Sequence, residues 1–379
     1  MIRFENVCKS YKNTKDEVVK NVSFEIEKGK LVVIIGPSGC GKTTCLKMIN
    51  RLEKTSSGKI YINGKANIEY DPIALRRSMG YVIQQTGLFP HMSIKDNIEI
   101  IPKLSGADET KIESRTRELM KMISLDEEFL ERYPTQLSGG QLQRIGVARA
   151  FAMDPEIILM DEPFSALDPL TRGQLQDELL FIQSRIKKTI VFVTHDMNEA
   201  IKLADMICIM KDGCIVQYDS PENIMKHPAN DYVSDFVGRN RIWSNPKYIH
   251  AKDIMIDNPF SVPEEMSLLR CIELMRIKHV TSAMVLDKND EFVGIAKASD
   301  IQKENDMNLS VSKVCEYPSV VAHEKDNLLD LINIFDSEKL SYLPVLNDNH
   351  KLIGIITNSS LVTALSQQYF NGKDGNINA

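Results

Sequence analysis

Three short apolar runs stand out in the first 200 residues, and a glycine-rich or polar segment follows each of them. The runs are Leu31–Ile35, Ile157–Met160 and Ile190–Val193. A continuous apolar run of this length is typical of a strand buried on both faces of a parallel sheet. Helical patterns lie at Cys45–Arg51 and Leu142–Phe151. The sequence therefore predicts an α/β domain in which strands alternate with helices.

The last third of the chain contains an internal duplication. Residues 267–301 align with residues 327–361 at an offset of 60, with nine identical positions. Each copy predicts a strand, an amphipathic helix, two strands joined by a polar turn, and a final helix. A two-copy repeat of this length indicates a paired α+β domain rather than a solenoid.

Composition narrows the classes of protein to which the chain can belong. The chain has 379 residues, 43% hydrophobic and 26% charged, which suits a globular protein of two or three domains. No apolar run approaches the ~20 residues of a membrane-spanning helix. The charged segment Met1–Ser10 predicts no signal peptide. The seven cysteines form no CxxC pair, so reduced thiols are expected rather than a zinc site or disulfides.

The charge is uneven along the chain. Residues 251–379 carry 12 Lys+Arg and 19 Asp+Glu, a net −7, and residues 1–250 carry 34 and 33, a net +1. Neither part has the basic excess of a general nucleic-acid binder, so no nucleic-acid partner is expected.

A glycine-rich loop follows the first apolar run. Gly36-Pro-Ser-Gly-Cys-Gly-Lys-Thr-Thr44 fits the pattern G-x-x-x-x-G-K-[ST] between a predicted strand and a predicted helix. Backbone N–H groups of such a loop point at phosphate oxygens, and the helix dipole adds to the attraction. Lys42 is predicted to reach the β- and γ-phosphates of a nucleotide, and the Thr43 hydroxyl to bind Mg²⁺.

Two acids end the second apolar run. Asp161 and Glu162 directly follow Ile157–Met160. An acid at the carboxyl end of a parallel strand, beside a phosphate loop, is placed to hold Mg²⁺. The adjacent Glu162 is predicted to polarise an attacking water molecule.

A second anion site is predicted where Ser138-Gly-Gly140 opens a helix. The loop at Gly36–Thr44 already cradles one nucleotide. A second phosphate-binding helix tip in the same domain therefore suggests that it serves the nucleotide of another subunit.

Together these motifs resemble the ATP-binding subunit of an ABC transporter. Leu137-Ser-Gly-Gly-Gln141 is the signature of that family, and the order of its motifs is reproduced over residues 1–240. The resemblance implies a P-loop ATPase domain with a helical subdomain that uses ATP and Mg²⁺. It also implies that two copies meet head to tail, with each ATP between the phosphate loop of one copy and the signature of the other.

The resemblance assigns a role to each matching residue. Tyr11 matches the aromatic residue that stacks on adenine, and Asp168 ends the D-loop. The implied catalytic residues are Lys42, Gln84, Glu162 and the switch histidine His195. The implied magnesium ligands are Thr43, Gln84 and Asp161. The implied nucleotide contacts are Tyr11, Gly36, Pro37, Ser38, Gly39, Cys40, Gly41, Lys42, Thr43, Thr44, Ser138, Gly139, Gly140, Gln141 and Asp168.

The stretches Gln84–Asn97 and Asp168–Arg172 resemble the importer subclass of this family. The resemblance implies that the helical subdomain, roughly residues 85–155, docks on separate membrane permease subunits. It implies a peripheral subunit at the cytoplasmic face of the cell membrane, with a solute-binding protein or domain as an indirect partner.

The duplicated part is similar to the CBS domain family, whose paired copies bind adenine nucleotides in many members. The ribose-reading pattern of that family is G-x-x-[ST]-x-x-D. In the first copy Asp300 fits, but Lys297 stands where Ser or Thr is expected. In the second copy Thr357 fits, but Ser360 replaces the acid. An adenine nucleotide, another ligand such as cyclic di-AMP, and a purely structural or dimerising role all stay open.

An importer ATPase followed by paired CBS domains resembles the compatible-solute importers for glycine betaine, carnitine and choline. There the CBS pair regulates transport in response to ionic strength or cyclic di-AMP. Two alternatives stay open: an importer of amino acids or polyamines, and a soluble ABC ATPase of nucleic-acid repair or translation. The predicted domains are 1–240 for the ATPase, 241–250 for a linker, 251–308 and 309–370 for the CBS copies, and 371–379 for a tail.

Overall fold

The computed structural model of the chain describes residues 1–11, 16–84, 87–165, 167–238 and 245–371. Two compact units divide the chain, Met1–Val237 and a second unit that begins at Gly238. The first part of the predicted linker, 241–244, and the predicted tail beyond 371 lie outside the described residues.

The first unit alternates strands and helices along most of its length. Its strands are β1 (Ile2–Lys9), β2 (Val19–Ile26), β3 (Leu31–Ile35), β4 (Ser57–Ile62), β5 (Lys65–Ala66), β6 (Met79–Val82), β7 (Ile157–Asp161), β8 (Thr189–Thr194), β9 (Met206–Lys211) and β10 (Cys214–Asp219). Its helices are α1 (Lys42–Ile49), α2 (Pro72–Arg77), α3 (Ile94–Leu104), α4 (Glu109–Met122), α5 (Gly139–Phe151), α6 (Pro169–Ile186), α7 (Met197–Leu203), α8 (Pro221–Lys226) and α9 (Asp231–Val237).

A six-stranded sheet forms the centre of this unit, in the order β10-β9-β3-β8-β7-β6. The β9–β10 pair is antiparallel and the other pairs are parallel. Every residue of β3, β7 and β8 is buried, which explains the apolar runs Leu31–Ile35, Ile157–Met160 and Ile190–Val193 within them. A second, antiparallel sheet has the order β2-β1-β4-β5, and the two sheets share one apolar core. The predicted α/β architecture is confirmed.

Helix starts differ from the predicted ones, and capping explains the difference. The first helix runs over Lys42–Ile49 rather than Cys45–Arg51, because it begins directly on the phosphate loop at Gly41. The helix that follows the signature begins at Gly139 rather than Leu142, because Ser138 caps it. The phosphate loop and the signature therefore run directly into the first turns of α1 and α5, without a separate connecting segment.

The second unit contains the two copies of the repeat. Its strands are β11 (Ile256–Asp257), β12 (Ser261–Pro263), β13 (Ser282–Leu286), β14 (Phe292–Lys297), β15 (Ala322–His323), β16 (Tyr342–Leu346) and β17 (Leu352–Thr357). Its helices are α10 (Ala251–Ile254), α11 (Leu268–Lys278), α12 (Ala298–Ile301), α13 (Leu328–Glu338) and α14 (Asn358–Asn371). The sheets are β12-β13-β14 and β11-β17-β16-β15, so the predicted order of elements in each copy is confirmed.

The segment that leads into each copy completes the other copy. Ile249 and Ala251 lie in the core of the second copy, and β11 pairs with β17. In return, Val311 lies in the core of the first copy, and Glu316 pairs with Ile295. This exchange differs from the linear division at 308/309, because each lead-in finds its apolar partners in the opposite copy.

The two copies also share an apolar contact. Met284, Phe292 and Ile295 of the first copy pack with Leu346 of the second. The exchange and this contact explain why the two copies form one compact unit.

Candidate functional site

The phosphate loop lies between β3 and α1, and its glycines shape it. Gly39 and Gly41 have φ angles of 82° and 99°, in the left-handed region. At Gly36 a side-chain carbon would lie 2.2 Å from the carbonyl oxygen of Met210, so glycine is required there. The Lys42 ammonium is buried and donates a hydrogen bond to the Gly36 carbonyl oxygen at 2.8 Å. The amine therefore lies inside the loop, within reach of phosphate oxygens.

The other side chains of the loop are placed differently. The Thr44 hydroxyl lies 3.5 Å from the hydroxyl of Tyr11, which brings the predicted adenine-stacking residue to the loop. Ser38 is exposed, as are Pro37 and Gly39. The Cys40 thiol faces the apolar core instead, and burial raises its pKa. The predicted contribution of Cys40 to nucleotide binding is thus restricted to its backbone.

The structure brings together two of the three predicted magnesium ligands. The Thr43 hydroxyl donates a hydrogen bond to Asp161 Oδ1 at 2.8 Å, across 118 residues of sequence. Asp161 is 9% exposed, and burial raises the pKa of its carboxyl group. A hydroxyl and a carboxylate oxygen are ligands that Mg²⁺ prefers, so these two residues fit the ion. Bound there, Mg²⁺ would neutralise negative charge on the nucleotide phosphates.

Glu162 is the point where the remaining catalytic candidates converge. Gln84 Nε2 lies 3.4 Å from Glu162 Oε2, and His195 Nδ1 lies 3.2 Å from the same oxygen. Glu162 itself has a φ of 45°, and its backbone N–H donates to the Val193 carbonyl oxygen at 2.9 Å. This unusual backbone conformation for a non-glycine residue turns the carboxylate toward Gln84 and His195. Gln84 lies at Glu162 rather than at the Thr43–Asp161 pair.

A buried network supports the loop that carries His195. Thr194 donates a hydrogen bond to Glu199 at 2.6 Å, and Gln176 donates to the same carboxylate at 3.3 Å. Glu199 is 5% exposed, and burial raises its pKa. These two hydrogen bonds therefore give the buried Glu199 carboxylate the partners that a buried polar group needs.

Arg172 connects this network to the D-loop. Its guanidinium donates to the Leu167 carbonyl oxygen at 3.0 Å and lies 3.6 Å from Asp196. A weaker approach of 3.9 Å joins it to Glu199. Sequence reasoning did not assign Glu199 or Arg172 a role, because neither belongs to a phosphate-binding motif.

The signature residues lie at the start of α5 and are held by a capping box. Ser138 N–H donates to Gln141 Oε1 at 2.9 Å, and Gln141 N–H donates to Ser138 Oγ at 3.4 Å. A side-chain carbon on Gly140 would lie 2.7 Å from Thr171 of α6, whereas Gly139 faces open space. Within the described part of the chain, no hydrogen bond joins these residues to the phosphate loop. Asp168 is likewise separate: it is exposed and caps α6 by accepting a hydrogen bond from Thr171 N–H.

An apolar groove of about 550 Å³ lies on the first unit beside the Gln loop. Ile83, Phe89, Ile101 and Leu104 contribute apolar lining, and Phe89 and Leu104 are 42% and 59% exposed. Arg149 also lines the groove and donates a hydrogen bond to the Gly87 carbonyl oxygen at 2.8 Å. Exposed apolar side chains around a groove indicate a binding surface.

A cleft of about 750 Å³ lies between the two copies of the second unit. The first copy contributes Lys297 and Asp300, and the second contributes Lys339 and Tyr342. The Lys303 ammonium, 2.7 Å from the Asp300 carboxylate, lowers the pKa of that carboxyl group. The corresponding residues of the second copy, Thr357 and Ser360, bond to each other at 3.1 Å and do not line this cleft.

The geometry of the first unit defines a P-loop ATPase of the ABC type. Its Lys42 lies in a glycine-shaped phosphate loop, and its Glu162 faces the Gln-loop and switch-loop side chains. Its signature helix tip is turned to open space at Gly139.

Comparison with known proteins extends this result to the whole chain. The sequence matches the family described as "ABC transporter" over residues 19–165 and the CBS domain family over 251–305 and 311–367. The carnitine transport ATP-binding protein OpuCA of Listeria monocytogenes is 47% identical over 96% of this chain and 91% of its own. The glycine betaine/carnitine/choline transport ATP-binding protein OpuCA of Bacillus subtilis (strain 168) is 46% identical over 96% of this chain and 95% of its own.

A solved structure gives the same result for the first unit. "Dimeric Structure of MJ0796, a Bacterial ABC Transporter Cassette" matches with a TM-score of 0.54 and 36% identity, over 58% of this chain and 99% of that one. The chain belongs to the ATP-binding proteins of ABC transporters and carries a tandem pair of CBS domains. It is an ATPase. Over the described residues, no helix combines the length and apolar character needed to span a membrane.

Proposed function

We propose that this chain powers the import of quaternary-amine osmoprotectants such as carnitine, glycine betaine and choline. The observation that carries the proposal is similarity over the whole chain. Relatives named for the transport of these solutes are 45–47% identical over 96% of it, so the likeness includes both units. We place the motor in residues 1–240 and the regulatory module in residues 251–370.

The catalytic step is assigned to residues of the first unit. Lys42 binds the phosphates of ATP, and Thr43 and Asp161 hold the Mg²⁺. Glu162 accepts the proton of the attacking water, which His195 and Gln84 orient. The supporting observation is that both side chains already lie within 3.4 Å of the Glu162 carboxylate. Phosphoryl transfer to water depends mainly on such positioning and on charge stabilisation.

A second copy of the chain supplies the signature that completes each site. Ser138 and Gly139 are exposed at a helix start, where backbone N–H groups attract anions. ATP then binds the closed pair more tightly than the open pair, so binding closes the pair and hydrolysis releases it. The likeness to a cassette structure described as dimeric supports this arrangement.

The groove beside the Gln loop is assigned to a membrane permease subunit. It is apolar and adjoins Gln84 through Ile83, so an occupant could act directly on the Gln loop. With this partner the chain lies at the cytoplasmic face of the cell membrane. A solute-binding protein or domain is an indirect partner.

The cleft between the CBS copies is assigned to a regulatory nucleotide such as cyclic di-AMP or an adenine nucleotide. Its volume of about 750 Å³ is in the usual range for small-molecule sites. Lys297 and Lys339 supply positive charge for a phosphate, and Tyr317 and Tyr342 supply aromatic faces for a base. Regulation by ionic strength is the alternative if no nucleotide binds.

The test is transport by the chain reconstituted with its permease in proteoliposomes. Radiolabelled carnitine, glycine betaine and choline should accumulate when ATP is supplied, and Glu162→Gln should abolish that uptake. Uptake of an amino acid or a polyamine instead would contradict the proposed solute and leave the motor assignment intact.

Calorimetric titration of the full chain with cyclic di-AMP, AMP and ATP tests the regulatory assignment. The first unit binds ATP, so the ATP titration is repeated in a Lys42→Ala variant. Micromolar binding of cyclic di-AMP supports the cleft assignment, and no binding of any nucleotide to that variant contradicts it.

A further inference from the structure

A tyrosine hydroxyl of β6 is buried without a hydrogen-bond partner in the chain. The hydroxyl oxygen of Tyr81 is closed off from solvent, and among the described residues no group lies within hydrogen-bond distance of it. Other atoms of Tyr81 line the apolar groove beside the Gln loop. A buried tyrosine hydroxyl normally has a partner, because leaving it unpaired costs the free energy of its lost hydration. The unpaired hydroxyl therefore indicates a partner that enters with a ligand.

The strand register places Tyr81 beside the magnesium site. In the parallel pair of β6 and β7, Tyr81 lies opposite Leu159, two residues before Asp161. Residues two apart on a strand share one face of the sheet, so Leu159 and Asp161 lie on the same face. Tyr81 packs against the apolar core that contains Leu159. Tyr81 and Asp161 are therefore diagonal neighbours on one face of the central sheet.

The charges at this place favour a neutral polar group. Asp161 and Glu162 already supply two carboxylates, and each makes the other harder to ionise. Burial raises the pKa of Tyr81 to about 12, and the nearby Asp161 carboxylate contributes to the rise. The tyrosine therefore keeps its proton at neutral pH. Its oxygen can accept a hydrogen bond without adding negative charge to the site.

We propose that Tyr81 is a positioning residue of the magnesium site, whose hydroxyl oxygen accepts a hydrogen bond from a water molecule of the Mg²⁺ hydration shell. The inference rests on the proposed assignment of Mg²⁺ to Thr43 and Asp161. Mg²⁺ loses its water reluctantly and keeps several water ligands in protein sites. Groups outside the direct ligands orient the ion and its shell. The partner of Tyr81 then enters with the ion, which accounts for a hydroxyl that no group of the chain satisfies.

The Mg²⁺ dependence of nucleotide binding tests the proposal in the full chain. Tyr81→Phe removes the hydroxyl and keeps the ring. Equilibrium binding of adenylyl imidodiphosphate, an ATP analogue that resists hydrolysis, is measured in EDTA and at rising free Mg²⁺. We expect the half-saturating Mg²⁺ concentration to rise ~10-fold, with the affinity in EDTA within about twofold of the wild type. An unchanged Mg²⁺ requirement overturns the proposal, and so does an equal loss of affinity with and without Mg²⁺.

Two further variants separate this inference from the magnesium assignment beneath it. Tyr218→Phe is the matched control, because that hydroxyl donates to the Glu25 carbonyl oxygen at 2.7 Å and β10 is at the opposite edge of the sheet. It should leave the Mg²⁺ requirement unchanged. Asp161→Asn should remove most of the Mg²⁺ dependence. A normal requirement in Tyr81→Phe alone overturns the inference, whereas a normal requirement in Asp161→Asn as well overturns the magnesium assignment with it.

Thermal unfolding without nucleotide or Mg²⁺ provides a readout that is independent of binding. Tyr81→Phe should raise Tm, because it removes a buried hydroxyl that has no partner. Tyr218→Phe should lower Tm, because it removes a hydrogen bond. A fall in Tm of the same size in both variants would show that the Tyr81 hydroxyl already has a partner in the metal-free chain, and it would overturn the proposal.

Discussion

The ATPase site and the CBS cleft differ in how they are built. In the first unit, the carboxyl ends of parallel strands meet at one edge of the central sheet. Thr43 contacts Asp161 there, and Gln84 and His195 contact Glu162. In the second unit, the cleft joins residues of two copies whose ribose-reading patterns are each half lost. Catalysis that needs particular groups at fixed spacing leaves a motif in the sequence. A binding cleft between repeats can instead acquire a different ligand through single substitutions of its lining residues.

The sharpest test of this difference is removal of the catalytic carboxylate. Glu162→Gln should lower the steady-state ATPase rate by ~10³-fold, because general base catalysis contributes ~10²–10⁴-fold. ATP binding should persist, since Lys42 and the phosphate loop are unchanged. The measurements are phosphate release and equilibrium binding of ATP.

A matched control is available in the second unit. Glu316→Gln changes a carboxylate that lines the CBS cleft. It should leave the basal ATPase rate within about twofold of the wild type. A Glu162→Gln variant that turns over at the wild-type rate would contradict the assignment of Glu162 as the base.

Much of the first unit was predictable from sequence. The strand at Leu31–Ile35 follows from its apolar run, and the closeness of Thr43 and Asp161 is expected for two residues predicted to share one Mg²⁺. Arg172 and Glu199 were not predictable as supports, because a buried carboxylate and an arginine after a D-loop become meaningful only when the fold brings them together.

The exchange between the CBS copies was not predictable for a different reason. Both copies have the same apolar pattern, so either sheet could accept the strand that follows residue 255. The structure pairs Ile256 with Ile355 of the second copy. Sequence periodicity identifies a strand but does not choose between two equivalent partners.

Measurements of ligand affinity can distinguish the contributions of the two CBS copies to the cleft. Lys297 lines the cleft and Thr357 does not. Lys297→Ala should weaken cyclic di-AMP binding by ~10-fold, the effect of losing one charge-assisted hydrogen bond of about 1.5 kcal/mol. Thr357→Ala should leave the affinity within about twofold. Calorimetry on both variants checks this, and equal losses would show that the second copy binds the ligand as well.

Removing Arg172, which supports the switch loop, should lower turnover less than removing Glu162 does. Arg172→Ala removes the link between Leu167 and Asp196, so His195 and the D-loop lose a shared anchor. We expect kcat to fall by ~5-fold, about 1 kcal/mol of barrier, with KM for ATP little changed. The control is Arg185→Ala on the same helix, whose guanidinium stacks on Phe181 at the surface. A fall in kcat of the same size in both variants would indicate general loosening of α6 rather than positioning.

The smallest effect we predict is a gain in stability at the magnesium site. Burial raises the pKa of Asp161, so its ionised form destabilises the fold without a bound cation. That penalty is fully present above the folded-state pKa and disappears as pH falls below the ordinary pKa of an aspartate.

The variant Asp161→Asn removes the charge but keeps a partner for the Thr43 hydroxyl. We expect it to stabilise the first unit at pH 7, which would raise its Tm. Calorimetric unfolding without Mg²⁺ at pH 7 and pH 4 checks the sign. The gain should shrink at the lower pH, and a loss of stability at pH 7 would mean that the carboxylate stabilises the apo site rather than being held there for the ion.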